Sequence, residues 1–210
     1  MNSLIVKVCG MTLTGNIKEV AESLPDYMGF IFFPGSPRYV GDDQFPDLPS
    51  DMPETIKKTG VFVNEREETV RAIVKRHNLQ AVQLHGDESP EYCRNIKKEK
   101  ITLIRAFRIS GNTIPDVEPY SAICDLFLFD TSSAGYGGSG KKFNWEILKQ
   151  YNGNTPFLIS GGISPEDVEA IIGFSHKSFA GIDINSGFET SPGIKDATAV
   201  NNFINSIRNE

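Results

Sequence analysis

Two hydrophobic periods alternate along this chain. Short apolar runs rich in β-branched and aromatic residues occur at 4–9 (LIVKVC), 28–33 (MGFIFF), 60–63 (GVFV) and 81–84 (AVQL). Four more follow at 102–107 (TLIRAF), 126–130 (LFLFD), 156–160 (PFLIS) and 179–184 (FAGIDI). Such runs suit strands covered on both faces, the condition inside a parallel sheet. Between several of them the interval becomes that of an amphipathic helix. Ile17, Val20, Ala21 and Leu24 stand at i, i+3, i+4, i+7, as do Val70, Ile73, Val74 and His77, and later Val200, Phe203, Ile204 and Ile207. Ser164-Pro165-Glu166-Asp167 reads as an N-cap, a proline at the first helical position and acidic residues facing the dipole, and Ser89-Pro90-Glu91 has the same grammar. Two connections are weakly written. Prolines interrupt 34–57, leaving only Glu54–Lys58 as a helical candidate, and Pro115 and Pro119 break 111–123.

Eight strands with helices between them predict a (β/α)8 TIM barrel with a parallel eight-stranded core, irregular at helices 2 and 5. At 210 residues the chain is expected to be one domain over 1–210. The competing architecture is an open doubly wound sheet, which favours a GxGxxG turn after the first strand; CGMTLTG (9–15) is not one.

Composition narrows the partners. Hydrophobic residues at 39% and charged ones at 23% are ordinary for a folded globule. A net charge of -6 argues against nucleic acid and anionic membranes. No apolar run reaches the roughly 18 residues of a membrane span. Residues 1–9 lack a secretory apolar stretch. Cys9, Cys93 and Cys124 have neither CxxC spacing nor even number, so a reducing, cytoplasmic location is expected, without a disulfide framework or zinc knuckle. The expected partner is a small molecule. The chain is read as a monomer, although the sequence fixes no oligomeric state.

In this barrel class the chemistry lies at the C-terminal ends of the strands. Polar residues fall there repeatedly: Cys9, Arg38 after strand 2, Asn64 after strand 3, His85, Asp130, Ser160-Gly161-Gly162, and Asp183 through Gly187. Gly161 and Gly162 precede a helix start and Asn185-Ser186-Gly187 follow strand 8, where barrels of this kind often hold phosphate on backbone amides. Residues 135–143 (GYGGSGKKF) read as a hinged lid. Cys9 and Asp130, on non-adjacent strands, would face each other across the mouth as base and acid. Strand alternation puts Lys7 on the face of Cys9, where its ammonium would favour a thiolate. On residues alone Cys9 reads equally well as a packed thiol. Arg38, flanked by Pro37 and Tyr39, reads as a solvated loop charge or a holder of a substrate carboxylate.

KVCGMT (7–12), FPGSPRYV (33–40), GVFVN (60–64), QLHGDE (83–88), FDT with GGSGKKFNW (129–145), SGGI (160–163) and GIDINSGFE (181–189) together resemble the phosphoribosylanthranilate isomerase family. The resemblance runs in order from residue 7 to about 193. It implies an Amadori rearrangement of N-(5-phosphoribosyl)anthranilate to 1-(2-carboxyphenylamino)-1-deoxyribulose 5-phosphate, in L-tryptophan biosynthesis. By carry-over Asp130 is the general acid and Cys9 the general base. Arg38 lies beside the anthranilate carboxylate, His85 lines the pocket and Asp183 reaches the sugar hydroxyls. Gly161, Gly162, Asn185 and Ser186 hold the phosphate, with no metal or organic cofactor. Two positions depart from the family pattern: Asn185 stands where serine is usual, and Ser160 where alanine is. Indole-glycerol-phosphate synthase, of the same fold, would need a lysine acid and a glutamate at strand ends. A metal-dependent epimerase would need converging histidines and aspartates. A barrel that binds phosphosugars without turnover would not need both Cys9 and Asp130.

Overall fold

The eight apolar runs become eight parallel strands in a computed structural model whose described residues are 4–131 and 142–208. They are β1 (Ile5–Cys9), β2 (Tyr27–Ile31), β3 (Lys57–Phe62), β4 (Ala81–Leu84), β5 (Thr102–Ile109), β6 (Leu126–Thr131), β7 (Phe157–Ile159) and β8 (Phe179–Ile184). Each pairs with the next, and β8 pairs back onto β1 through Ile5↔Gly181 and Lys7↔Asp183, closing a barrel. Helices α1 (Thr14–Ala21), α2 (Glu67–Arg76), α3 (Pro90–Lys97), α4 (Val168–Ile172) and α5 (Ala197–Arg208) follow β1, β3, β4, β7 and β8. None of these helices is long and apolar enough to cross a membrane.

Side chains alternate between two apolar clusters. In β6, Leu126 and Leu128 belong to a small cluster with Tyr27, Ala81, Ile104, Ala106 and Leu158, whereas Phe127 and Phe129 join the larger one beneath the helices. The small cluster is the barrel interior. Continuing the same period of two toward the C-terminal ends carries Lys7 and Cys9 in β1, Gln83 and His85 along β4, and Asp130 in β6 to the inner side. In β8 the register against β7 slips between Phe179 and Gly181. That extra residue turns Asp183 inward while Ile182 and Ile184 pack outward.

Gly181 sits where β8 crosses β1 so closely that a Cβ would stand 1.9 Å from the Ile5 carbonyl oxygen. Because the obstacle is backbone, it cannot rotate away. Gly181→Ala is expected to destabilise the barrel by at least about 1–3 kcal/mol, seen as a lower urea midpoint at unchanged slope.

Local signals hold in part. Ser89 Oγ accepts from Tyr92 N at 3.1 Å to cap α3, and Ser164 with Asp167 forms a capping box. The weak connections are as irregular as predicted: no helix lies between β2 and β3, and a single 3-10 turn (Glu118–Tyr120) lies between β5 and β6. Three details differ. Glu54–Lys58 is not helical, because Lys57 and Lys58 pair with Tyr27 and Met28 at the start of β3. Leu24 leaves the α1 face: the helix ends at Ala21, and Leu24 takes φ 51° and is 53% exposed. His77 caps α2 and reaches out of it, its Nε2 2.7 Å from Asp42 Oδ1 and its ring stacked on Phe45, which in turn meets Phe32. An aromatic strap covers β2 in place of a helix.

Candidate active site

One pocket of about 700 Å³, its open mouth included, lies at the C-terminal ends of the strands. Its wall takes Cys9 from β1, Gln83 and His85 from β4, Asp130 from β6, Ser160 through Ile163 after β7, and Asp183 and Asn185 through Gly187 from β8 and its loop. Eight of the nine residues to which the family resemblance gives a role therefore share one cavity. The ninth, Arg38, stands behind the wall. It is 7% exposed, which removes the solvated-charge reading, and its Nε and Nη2 donate to both carboxylate oxygens of Glu189 at 2.8 and 2.6 Å. Arg38 is held by a carboxylate of the protein itself. Asn64, also predicted at the rim, instead braces the β4 loop: its backbone N–H donates to Glu88 Oε1 and its side-chain Oδ1 accepts from Asp87 N. The lid predicted at 135–143 falls mainly outside the described residues.

The Cys9 edge is crowded with charge. Lys7 Nζ donates to Asp183 Oδ1 at 2.8 Å, and Ser160 Oγ donates to Asp183 Oδ2 at 3.1 Å. Gly29, the β2 partner of Cys9, makes room for both β1 side chains: a Cβ there would lie 2.8 Å from Cys9 Sγ and 3.0 Å from Lys7 Nζ. Burial pulls the Lys7 ammonium down, but Asp183 and then Cys9 reverse the effect and hold it above the ordinary range. For Cys9 the balance runs the other way. Burial pushes the thiol up, and the opposing pull of Lys7 is outweighed. The expected Lys7 effect is present in sign, yet the folded thiol sits above the usual range, not below it.

Across the mouth the carboxylate is oriented by two donors. Thr131 N donates to Asp130 Oδ1 at 2.8 Å, and His85 Nε2 lies 3.2 Å from Oδ2. Gln83 Nε2 lies 2.9 Å from His85 Nδ1. With the amide nitrogen so placed, Nδ1 is the acceptor and Nε2 carries the hydrogen that points at Asp130. Gln83 Oε1 is buried with no partner, on the pocket wall. A substrate hydroxyl would satisfy it.

The loops after β7 and β8 form a cradle. Gly161 and Gly162 take φ 90° and 68°, a turn that glycine makes without strain. A Cβ on Gly187 would lie 2.1 Å from the Ile163 carbonyl, so the two loops close on each other and their backbone donors share one corner. The sequence reading missed Gln83, Glu189 and Lys195. Gln83 was legible from strand alternation alone, two residues before His85. Lys195 was not: it reaches the site through the short antiparallel hairpin β9 (Glu189–Ser191) and β10 (Ile194–Lys195), where its Nζ donates to Asn185 Oδ1 and Glu189 Oε1 at 2.7 and 2.5 Å.

Known proteins share this architecture from end to end. A family model described as N-(5'phosphoribosyl)anthranilate (PRA) isomerase matches residues 6–206. An N-(5'-phosphoribosyl)anthranilate isomerase of Phocaeicola vulgatus is 46% identical over 206 residues, covering 98% of each chain. The crystal structure of phosphoribosyl anthranilate isomerase from Thermotoga maritima superposes with a TM-score of 0.85 at 33% identity, over 99% of this chain and 100% of that one. A crystal structure of a phosphoribosyl anthranilate isomerase in complex with reduced 1-(o-carboxyphenylamino)-1-deoxyribulose 5-phosphate gives a TM-score of 0.80 at 30% identity, with 99% of this chain and 100% of that one covered.

Proposed function

Since the chain belongs to the N-(5'-phosphoribosyl)anthranilate isomerase family, we propose that its barrel runs the rearrangement with Asp130 as general acid and Cys9 as general base. The family's reaction is an isomerisation in tryptophan biosynthesis. The observation that carries the assignment is that Cys9 and Asp130 line one pocket from β1 and β6, three strands apart around the barrel, with the β7 and β8 glycine loops between them.

The steps follow from that placement. The phosphate sits on the backbone amides of Gly161, Gly162, Asn185 and Ser186, fixing one end of the sugar. Asp130 gives its proton to the ribose ring oxygen as the C1–O bond breaks and the anilino nitrogen forms a C1=N double bond. His85 Nε2–H and Thr131 N–H stabilise the carboxylate left behind. The Cys9 thiolate then takes the C2 proton, and the electron pair moves to close C1=C2 and neutralise the nitrogen. Loss of the C2 hydroxyl proton and return of a proton at C1 give the ketone. Asp183, already bonded to Lys7 and Ser160, faces the sugar hydroxyls. Arg38 reaches a substrate carboxylate only by exchanging part of its fork with Glu189. We further read residues 1–210 as one catalytic domain acting in the cytoplasm.

The raised thiol gives a pH expectation with a definite sign. Burial disfavours the thiolate, so thiolate ultraviolet absorbance in the substrate-free enzyme, read against Cys9→Ser, should reach half its final value above about pH 8.5, where an unperturbed thiol is half ionised. A thiol already half ionised at neutrality would contradict a raised value in this environment. The assignment itself is tested by following the loss of anthranilate emission as N-(5-phosphoribosyl)anthranilate is consumed by wild type, Cys9→Ala and Asp130→Asn. Near-wild-type turnover by both variants would remove the acid–base pair.

A further inference from the structure

Five charged side chains packed beneath the Cys9 edge of the pocket do not cancel. Lys7, Asp183, Arg38, Glu189 and Lys195 have side chains no more than 9% exposed. Asp183 is matched by Lys7. Glu189 serves two cations at once, Arg38 through two hydrogen bonds and Lys195 through one. Three cations against two carboxylates leave a buried surplus of one positive charge. A buried ion without a counter-ion is strongly disfavoured, so a surplus of this kind needs a balancing anion. Lys195 accounts for it: its other partner is the neutral amide oxygen of Asn185, and its Nζ is shut off from solvent.

The cluster abuts one further ionisable group. A Cβ on Gly10, the residue after Cys9, would lie 2.6 Å from Arg38 Cδ and 2.7 Å from Asn185 Oδ1, the atom that accepts from Lys195. Cys9 Sγ and Lys7 Nζ crowd the same point above Gly29. The charges that face the thiol are thus Lys7 from β1, Asp183 from β8, Lys195 from the hairpin and, around Gly10, Arg38 with its partner Glu189. Ionising Cys9 brings their sum to zero.

We propose that Lys195 is the counter-charge of the Cys9 thiolate, a positioning residue that makes the base available without touching the substrate. The inference rests on Cys9 as the base and adds what balances it. Burial favours the neutral amine on Lys195 and the neutral thiol on Cys9, while each charged form favours the other. Removing one charge therefore shifts the titration of its partner. Asn185, one of the two departures from the family pattern, joins the pair to the phosphate loop: its side chain receives the Lys195 hydrogen bond and its backbone belongs to the cradle.

The experiment titrates the thiol in the substrate-free enzyme by its thiolate ultraviolet absorbance, taken as the difference from Cys9→Ser. Lys195→Met fills the same volume and removes the unmatched charge, so a folded protein is expected, verified by circular dichroism; Lys195→Gln serves as the second neutral variant. Both should move the Cys9 titration to higher pH, lowering the thiolate fraction about tenfold or more at a given pH below it. kcat should fall in parallel while KM stays within about twofold, and Lys195→Arg should restore most of both. An unmoved titration in the neutral variants overturns the proposal. So does a rise in KM at unchanged kcat, which would make Lys195 a substrate ligand. Full activity in Cys9→Ala would instead remove the base assignment, and the free-enzyme titration reads the Lys195 effect separately from that outcome.

Discussion

Cys9→Ala is expected to lower kcat by about 10²–10⁴-fold, the usual contribution of a positioned general base. Only the sulfur is lost, from a residue already 4% exposed at the end of a strand, so the barrel should still unfold cooperatively close to the wild-type midpoint. KM should change little. In the proposed reading the phosphate, the largest fixed charge of the substrate, rests on backbone donors from the other loops, and these the variant leaves in place. Asp130→Asn should reduce kcat over the same range for a different reason. An amide keeps the hydrogen bond from Thr131 N but has no proton to give the ring oxygen. In the proposed mechanism the two residues act in successive steps on one substrate, so the double variant should fall well short of the product of the single losses. Loss of stability in place of loss of kcat would make Cys9 a packing residue.

The second large effect concerns folding. Glu189→Gln leaves Arg38 and Lys195 buried with no carboxylate between them. Breaking one side of a buried ion pair typically costs about 3–5 kcal/mol, much more than a surface pair returns. For a chain of this length that corresponds to a melting temperature lower by about 6–20 °C. The double variant Glu189→Gln, Lys195→Met should recover a large part of the loss, since one of the two stranded cations is gone with it. Additive losses would show that the pair is not coupled. Acid should erase the difference between wild type and Glu189→Gln. Burial raises the Glu189 carboxyl, but Arg38 and Lys195 together hold it below its ordinary value. Its contribution is therefore present above the unfolded carboxylate range and is lost as pH falls through the folded pKa. Chemical denaturation followed across pH measures both.

Much of this was readable one residue at a time. Closely spaced apolar runs gave all eight strands, and the capping serines at Ser89 and Ser164 marked real helix starts. Strand ends located Cys9, His85 and Asp130 on the pocket without any contact being known. The misreadings share a cause. Leu24 continues a helical interval, but periodicity does not say where a helix stops, and the chain turns at Ala21 to enter β2. Glu54–Lys58 has helical composition, yet Lys57 and Lys58 gain ladder hydrogen bonds beside Tyr27 and Met28. Arg38 read as a solvated charge or a holder of a substrate carboxylate; it is buried on Glu189 of its own chain, a pairing that only folding in space decides.

The sequence by itself determined the barrel, the strand ends that face its mouth and the two glycine loops, because hydrophobic period, capping and glycine placement act over a few neighbouring residues. Tertiary structure alone decided the electrostatics. Arg38 and Glu189 are separated by 151 residues, Lys7 and Asp183 by 176. Only closure of β8 onto β1 and folding of the hairpin behind it bring three cations and two carboxylates under one thiol. Coulomb energy depends on distance and burial, and neither quantity is written along a chain.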